Sequence, residues 1–216
     1  MIRVGDIYSS ENYGSLEVIE YLDSKNVTVR FIKTGYVTTS RSDHIRNGKV
    51  KDKLLPNVHG VGYIGVGDYL SGTSAGITKQ YVTWNGMLER CYCSKLHEVR
   101  PTYIGCSVVP EWHNFQNFAK WYDENHPKDG VDYHLDKDIR VPGNKVYGPK
   151  TCLFVTIIEN TIAASCKNEH VLRSPYDILY LVKNISEFCR EHGLNNSALS
   201  QVLRGERPHH KNWKVG

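Results

Sequence analysis

Three side chains that can bind a divalent metal ion alternate within five residues of this chain. His134, Asp136 and Asp138 occupy every second position of the run "HLDKD", inside the polar stretch from Asp132 to Val155. In an extended strand such positions point to one face, which would align one imidazole with two carboxylates. Ligands of this kind suit Mg²⁺ or Mn²⁺, which can stabilise a phosphate under attack by water.

The neighbouring lysines fit the same chemistry, but they also fit a plainer structure. Lys137 and Lys145 could contact a phosphate group next to the ion. Alternating Asp and Lys residues are also typical of a solvent-exposed strand edge, where such charges pair weakly. Spacing by itself favours that exposed edge over the metal site, so both interpretations stay open at this point.

The end of the chain, residues 184–213, predicts two helices joined by a turn. Asn184 or Ser186 can cap the first helix, and Gly193 permits the left-handed residue that ends it. Asn195 or Asn196 can cap the second helix. The apolar side chains of both helices recur at helical spacing, which predicts a packed helix-turn-helix.

The outer face of the second helix carries short polar side chains and one arginine, types that read base edges in a major groove. We predict DNA contacts from Asn196, Ser197, Ser200, Gln201 and Arg204. Arg207 and Lys211, in the basic tail that follows, are predicted to contact phosphates. The expected partner is double-stranded DNA.

A second basic stretch, "RSDHIRNGKVKDK", covers residues 41–53. It fits a solvated face of the protein. It also fits an edge that contacts phosphates through Arg46, Lys49 and Lys51.

Six cysteines raise the separate possibility of structural zinc. Cys91, Cys93 and Cys106 could be three ligands, with Cys152 or a nearby histidine as the fourth. Paired zinc ligands usually have two to four residues between them, whereas one residue separates Cys91 from Cys93. Small buried thiols therefore account for these residues better, and a zinc-stabilised interaction module is the weakest of the functional alternatives.

The elements that must position these groups form an α+β arrangement with four regions. Residues 1–60 alternate as short strands and predict a small β-barrel-like module. Residues 61–80 are rich in glycine and predict a linker. Residues 81–168 contain the polar stretch and two amphipathic helices. The first helix, over 81–92, carries an apolar stripe of Trp84, Met87, Leu88 and Cys91, and the second is predicted over 110–125. Residues 169–216 contain the helix-turn-helix.

Composition limits the class of protein. The chain has 216 residues, 40% hydrophobic and 23% charged, which is ordinary for a folded protein. Its net charge of +4 is only mildly basic. No apolar run approaches the roughly 20 residues that span a bilayer, and no secretory signal is evident at the N-terminus. We expect no membrane association and a cytoplasmic location, in the cytoplasm of the host cell if a phage encodes the protein.

The order of the motifs resembles that of HNH-type endonucleases of phages and mobile introns. The resemblance rests on "WNGMLERCY" (84–92), on Val108, Trp112, Phe115 and Phe118, and on "LDKD…GNKVYGPKTC" (135–152). The tail from Asn184 to Trp213 is similar to a small helix-turn-helix repeat that follows such nucleases. Together these regions cover more than half of the chain.

The resemblance implies a ββα-metal unit, in which two strands and a helix hold one divalent ion. It makes Asp136 a metal ligand and places Lys137 where many members have the general-base histidine. It also places Thr151 where the family usually has an asparagine ligand. His134 is the nearest substitute for the base, and Asn144, Glu159 or Asn160 could replace the missing asparagine.

We therefore expect a Mg²⁺- or Mn²⁺-dependent DNA endonuclease, with His134, Asp136 and Lys137 as catalytic residues. Its expected metal ligands are Asp136, Asp138, Asn144 and Thr151. One metal site acting on one strand favours nicking unless the protein dimerises, and both monomer and dimer stay open. The departures at Lys137 and Thr151 support an alternative, a catalytically decayed HNH-like DNA-binding protein that acts as a regulator or inhibitor.

Overall fold

The computed structural model describes residues 2–141, 143–165 and 169–216. The chain is of the α+β class, as predicted. It divides into two compact units, each made of two stretches of sequence. The first unit comprises Met1–His126 and Arg140–Cys152, and the second comprises Pro127–Ile139 and Leu153–Gly216. The four regions predicted from the sequence stay a prediction.

The first unit opens with a four-stranded antiparallel sheet in the order β1-β2-β3-β4. Its strands are β1 (Ile7–Ser10), β2 (Gly14–Tyr21), β3 (Val27–Phe31) and β4 (Val37–Ser40), followed by α1 (Ser42–Arg46). Alternating apolar residues on β2 and β3 point to one face, as their spacing predicts. Ile45 of α1 and Val50 cover that face and are buried with it.

The β-barrel-like module predicted for residues 1–60 is wrong in one respect, because the sheet does not close. Among the described residues β1 and β4 are the two edges of an open sheet. Four short strands are too few to curl into a barrel around a side-chain core. A short helix and the segment after it bury the apolar face instead.

The glycine-rich segment at residues 61–69 is tightly packed within the first unit. The Gln116 side chain donates hydrogen bonds to the carbonyls of Ile64 and Tyr69, and its Oε1 accepts one from the Tyr69 N–H. A Cβ added at Gly62 would lie 2.4 Å from Leu88 Cδ1. These glycines therefore allow the backbone to approach side chains closely. A small hairpin follows, formed by β5 (Gly72–Thr73) and β6 (Gly76–Ile77).

Two helices form the aromatic core of the first unit. They are α2 (Lys79–Tyr92) and α4 (Phe115–Asn125), with α3 (Ser94–Val99) between them. The predicted stripe of Trp84, Met87, Leu88 and Cys91 is buried, which confirms the helical spacing. The indole N–H of Trp84 donates to the Trp112 carbonyl at 2.7 Å.

The second predicted helix begins later than its sequence suggested. Pro110–His113 form a 3-10 turn, and α4 starts only at Phe115. The Asn114 side chain caps α4 by accepting a hydrogen bond from the Gln116 N–H at 3.0 Å. Since a cap residue has extended backbone, the α-helix cannot run through Asn114 from Pro110. The strands β7 (Ser107–Val108) and β9 (Val146–Tyr147) pair in parallel beside these helices.

The second unit contains two groups of elements. The first is an antiparallel pair, β8 (Tyr133–Asp136) and β10 (Leu153–Thr156), followed directly by α5 (Ile157–Ser165). The second is a three-stranded antiparallel sheet in the order β12-β11-β13, with two helices. Its elements are β11 (His170–Arg173), β12 (Leu179–Val182), α6 (Ile185–Glu191), α7 (Asn196–Leu203) and β13 (Lys214–Val215).

The C-terminal sheet and its two helices share one apolar core. The core comprises Leu172, Val182, Phe188, Cys189, Leu199 and Trp213. Cys166 lies outside the described residues. None of the helices within the described part of the chain has the length and apolar character needed to cross a bilayer.

Candidate functional site

The polar stretch forms the strands of a strand-strand-helix arrangement in the second unit. On β8, His134 lies opposite Val155 of β10, and Asp136 lies opposite Leu153. His134 is exposed and Asp136 is half-buried. Because they are two residues apart on a strand, their side chains share one face. An imidazole and a carboxylate therefore lie side by side at the C-terminal end of β8.

A capping box fixes the junction between β10 and α5. The hydroxyl of Thr156 accepts a hydrogen bond from the Glu159 N–H at 3.2 Å, and Glu159 Oε2 accepts one from the Thr156 N–H at 2.7 Å. The latter bond lowers the pKa of Glu159. Glu159, one of the residues considered as a replacement ligand, is therefore occupied in starting the helix. Asn160 lies exposed in the same turn.

The predicted alignment of Asp138 with His134 and Asp136 is wrong. Strand β8 ends at Asp136, and the chain bends immediately after it. Asp136 Oδ1 accepts hydrogen bonds from the N–H groups of Asp138 and Ile139, both at 2.7 Å. An aspartate that bonds its own following backbone stabilises a turn and not a continued strand. The role of Asp138 as a metal ligand stays a prediction.

Lys137 is a buried cation paired with its neighbour. Its side chain is 7% exposed, and Nζ lies 2.7 Å from Asp138 Oδ1. An ammonium group is a donor without a lone pair, so Lys137 in this ion pair cannot accept a proton from water. The pair also compensates the charge of Asp138. The sequence could not indicate this burial, because lysine is rarely buried unless it is paired.

The other predicted ligands and Lys145 belong to the first unit, where each has local partners. The Asn144 amide donates to the Val146 carbonyl at 2.7 Å, and its Oδ1 accepts from the Val146 N–H. The Thr151 hydroxyl donates to the same carbonyl at 2.8 Å. Lys145 Nζ donates to the carbonyl of Thr102 at 2.8 Å. These bonds shape the loop, and the metal-binding and DNA-binding roles of the three residues stay predictions.

His134 and Asp136 suit an open metal site, in which water completes the coordination, and not a closed one. Across residues 2–141, 143–165 and 169–216, no group of three His, Cys, Asp or Glu side chains is placed to hold a metal ion, and this includes the proposed zinc cysteines. Mg²⁺ usually keeps several waters and binds through one or two carboxylates together with substrate phosphates. Asp136, with Oδ2 outside its turn hydrogen bonds, and His134 fit an ion of that hydrated kind.

Helices α6 and α7 have the caps that the sequence predicts. The Asn184 side chain accepts from the Glu187 N–H at 3.2 Å, and the Asn195 side chain accepts from the Ala198 N–H at 2.9 Å. Gly193 adopts a φ of 61°, which ends α6 in the left-handed region. The two helices are therefore held at a defined turn, and α7 has one exposed side.

The exposed side of α7 carries the predicted base-reading residues. Asn196, Ser197 and Arg204 are exposed, and Ser200 and Gln201 are half-buried. Some of them already form hydrogen bonds within the C-terminal module, which comprises β11, β12, α6, α7 and β13. The Asn196 amide donates to Ser186 Oγ at 2.7 Å, and its Oδ1 accepts from the Ser200 hydroxyl at 3.3 Å.

Arg204 is held by an acidic residue that the sequence reasoning did not consider. Its guanidinium forms two hydrogen bonds with the Glu206 carboxylate, at 2.8 and 2.9 Å. The carboxylate raises the pKa of Arg204, and the guanidinium lowers the pKa of Glu206. Contact with DNA would require Arg204 to exchange this exposed partner for a base or phosphate.

The basic tail holds the turn between α6 and α7. Lys211 Nζ donates to the Gly193 carbonyl at 2.7 Å, while Arg207 is exposed. His210 Nε2 accepts a hydrogen bond from the Asn195 N–H at 3.0 Å. Burial and the nearby charges of Arg207 and Lys211 lower the pKa of His210. A histidine in the run "RPHHK" gave no sign of this role, which depends on a contact between distant residues.

Comparisons with known proteins add one structural similarity. No protein-family model matches the chain, and no curated protein matches it. Among solved structures, one described as DNA binding and cleavage by the HNH homing endonuclease I-HmuI aligns at 14% sequence identity. The alignment covers 98% of this chain and 86% of that chain, with a TM-score of 0.23. A TM-score this low does not establish a shared fold.

Proposed function

We propose that this protein is a DNA-binding, divalent-metal-dependent endonuclease of the HNH type that nicks double-stranded DNA. The observation that carries the proposal is the pairing of β8 with β10, which are separated in sequence by β9, and the helix α5 directly after β10. Two antiparallel strands lead directly into a helix, with an imidazole and a carboxylate together at the end of the first strand. The strand pair, the helix after it and Asp136 are those that the sequence resemblance implies, and His134 is the nearest substitute for the histidine that many members have at position 137.

In this proposal Asp136 is the metal ligand and His134 is the general base. Asp136 would hold a Mg²⁺ or Mn²⁺ ion, which would supply stabilisation of the charge on the phosphate and on the leaving oxygen. A neutral imidazole nitrogen of His134, exposed on β8, accepts a proton from the attacking water. The hydrogen bonds from the N–H groups of Asp138 and Ile139 hold the Asp136 carboxylate in one orientation.

The C-terminal module supplies the DNA-reading part of the proposal. Helix α7 presents amide, hydroxyl and guanidinium groups on one exposed side, the chemistry that hydrogen-bonds to base edges. Its start is fixed by the Asn195 cap and by the bond to His210. A fixed helix is what direct reading of a major groove requires. Arg207, in the tail, would add a phosphate contact.

The first experiment measures relaxation of supercoiled plasmid with Mg²⁺, with Mn²⁺ and with EDTA. We expect nicked circles that require the metal, and a loss of about 100-fold or more in rate for His134→Ala. Asp136→Asn removes the charge but keeps an oxygen that can accept the turn hydrogen bonds. We expect it to lose cleavage while its melting temperature stays unchanged.

The matched control is Asp68→Asn, at an exposed aspartate of the first unit. It should cleave at the normal rate. Undiminished cleavage by both His134→Ala and Asp136→Asn would show that the site lies elsewhere.

A second function is favoured by one observation, the ion pair between the buried Lys137 and Asp138. Position 137, where many HNH enzymes have the general-base histidine, is occupied by a cation in this chain. The alternative is therefore a catalytically decayed HNH-like protein that binds DNA as a regulator or inhibitor. Duplex binding in a gel-shift assay, with no nicking at any metal concentration, would decide for this alternative.

A further inference from the structure

A row of three lysines on the first unit is exposed on one side and anchored on the other. Lys49, Lys51 and Lys53 are exposed, while the residues between them, Val50 and Asp52, are 6% and 3% exposed. From Lys49 to Asp52 this alternation is that of an extended chain, in which every second side chain points the same way. Lys53 lies in the turn that follows, where the Leu54 N–H donates to Asp52 Oδ1. We call Lys49, Lys51 and Lys53 the lysine strip.

Hydrogen bonds from two neighbouring segments hold the backbone of the strip in place. The Ser10 hydroxyl donates to the carbonyls of Gly48 and Val50, at 3.0 and 2.6 Å. The Lys53 carbonyl accepts from the Gly65 N–H at 2.8 Å. The strip is therefore a fixed edge of the first unit, and its ammonium groups need little further ordering to bind a ligand.

The one acidic residue within the strip is turned inward and occupied. The Asp52 carboxylate accepts hydrogen bonds from the Thr34 hydroxyl at 2.6 Å and from the Leu54 N–H at 2.8 Å. Its burial leaves the exposed side of the segment with cations only.

The surroundings extend the positive charge of the strip. Arg46, at the end of α1, is a fourth exposed cation. Asp43 is already paired with Arg41 at 2.9 Å. The side chain of Glu11 passes Gly48 and brings one carboxylate to the start of the strip. None of the three strip lysines forms an ion pair within the described residues, so their charges face solvent uncompensated.

The spacing and charge of the strip suit a phosphate backbone. In an extended chain, residues two apart are separated by about 6 to 7 Å. A duplex carries a dense, regular row of phosphates, and lysines bind them as flexible point charges without needing a fixed geometry. The strip presents no aromatic residue for stacking on unpaired bases, which favours duplex over single-stranded nucleic acid.

We propose that the lysine strip is a phosphate-binding track that holds the backbone of double-stranded DNA, independently of sequence. The inference rests on the proposed function for its partner. It adds a contact made by the first unit, separate from the cleavage residues and from α7. DNA binding by the strip would release counterions from the phosphates. Each phosphate contact would therefore steepen the dependence of the binding constant on salt concentration.

The test compares two triple variants of the full chain. The first is Lys49→Gln, Lys51→Gln and Lys53→Gln. The control is Lys25→Gln, Lys95→Gln and Lys120→Gln, which removes the same charge from exposed lysines elsewhere in the first unit. Binding of a random-sequence duplex is followed by fluorescence anisotropy in EDTA across a range of KCl concentrations.

We expect the strip variant to reduce the slope of log K against log salt by about 2 to 3, from about 0.9 per phosphate contact. The control variant should change the slope by less than about 1. Replacement of all three strip lysines by arginine keeps the charge and should retain the normal slope. Unchanged melting temperatures would show that each variant is folded. If the triple glutamine variant is not folded, Lys51→Gln alone takes its place, with an expected decrease in slope of about 0.9.

Each remaining outcome overturns a defined part of the proposal. Equal slopes for the strip and control variants would mean that only net charge matters. Normal duplex binding by the strip variant would reject the track and leave the proposed function standing. Absence of duplex binding by the unaltered protein would reject both. Preference for single-stranded RNA over duplex DNA would reject the partner.

Discussion

At the residue scale, Asp136 combines a structural role with the role proposed for it in chemistry. One of its carboxylate oxygens caps the turn after β8, and the other is outside those bonds. Lys137 and Asp138 then pair with each other and turn away from the strand. Of the three acidic or basic residues in "DKD", Asp136 is therefore the one without an ion-pair partner among the described residues, and it is the ligand that the proposed function uses.

His210 makes the C-terminal module sensitive to pH. Its Nε2 accepts the Asn195 N–H at the start of α7, so protonation removes that bond. The pKa of His210 is lowered in the folded protein from an ordinary value of 6.5, mainly by burial. The unfolded chain then binds the proton more readily, so stability is complete above about pH 6.5 and is lost as the pH falls through the folded pKa.

The measurement is the melting temperature of the second unit between pH 7.5 and 5, followed by Trp213 fluorescence. We expect it to fall on acidification, and to fall less in His210→Gln, whose amide oxygen can accept the bond but does not titrate. His192 also packs on Trp213 and is present in both proteins. Identical pH profiles for the two proteins would assign the effect to His192 or to other groups.

The residue scale also marks the limit of reasoning from sequence. The alternation of side chains along a strand correctly predicted that His134 and Asp136 lie on one strand, because this pattern depends only on residues that are neighbours in sequence. It failed at Asp138, because a side-chain hydrogen bond to the backbone ended the strand. It could not find Glu206 or His210, whose partners are set by turns and by contacts between distant residues.

At the element scale, close approach of backbone to side chains explains the glycines of residues 61–69. We predict that Gly62→Ala destabilises the first unit by about 1 to 3 kcal/mol, the usual cost of overpacking. The added methyl group would lie 2.4 Å from Leu88 and 2.9 Å from Trp84. Thermal unfolding monitored by circular dichroism measures the change.

The control for that prediction is the same substitution on α2. At Gly86 the nearest atom to an added Cβ is 3.8 Å away, on the Arg90 side chain. Gly86→Ala should therefore raise stability by up to about 1 kcal/mol, because alanine favours a helix interior over glycine. A similar loss in both variants would mean that packing against Leu88 and Trp84 is not the cause.

Elements whose apolar residues recur at a regular spacing were predicted well from the sequence, and elements without such a spacing were not. The stripes of α2 and the caps of α6 and α7 follow from local spacing and capping chemistry. The late start of α4 at Phe115 depended on Asn114 acting as a cap. Composition predicts a linker over residues 61–80, and composition cannot distinguish a flexible glycine from one required by packing, such as Gly62.

At the scale of the whole molecule, the chain divides into two compact units, so we predict two unfolding transitions in calorimetry. Leu199 is fully buried in the C-terminal core, and Leu199→Ala should lower one transition by about 2 to 5 kcal/mol. The other transition should not move. Trp213 fluorescence identifies the shifted transition, because the other three tryptophans lie in the first unit.

The matched control is Leu179→Ala, at a leucine of the same sheet that is 55% exposed. It should leave both transitions almost unchanged. One transition that shifts as a whole in Leu199→Ala would show instead that the two units unfold together.

The division of the chain has a consequence for how the molecule is made and dissected. Residues 140–152 belong to the first unit, while the strands before and after them, β8 and β10, belong to the second. During synthesis β8 therefore leaves the ribosome without its partner strand and must wait while a segment of the other unit is made. A fragment that ends anywhere from residue 137 to 152 carries an unpaired strand edge, which is prone to aggregation. Neither unit can be moved to another protein as one uninterrupted cassette.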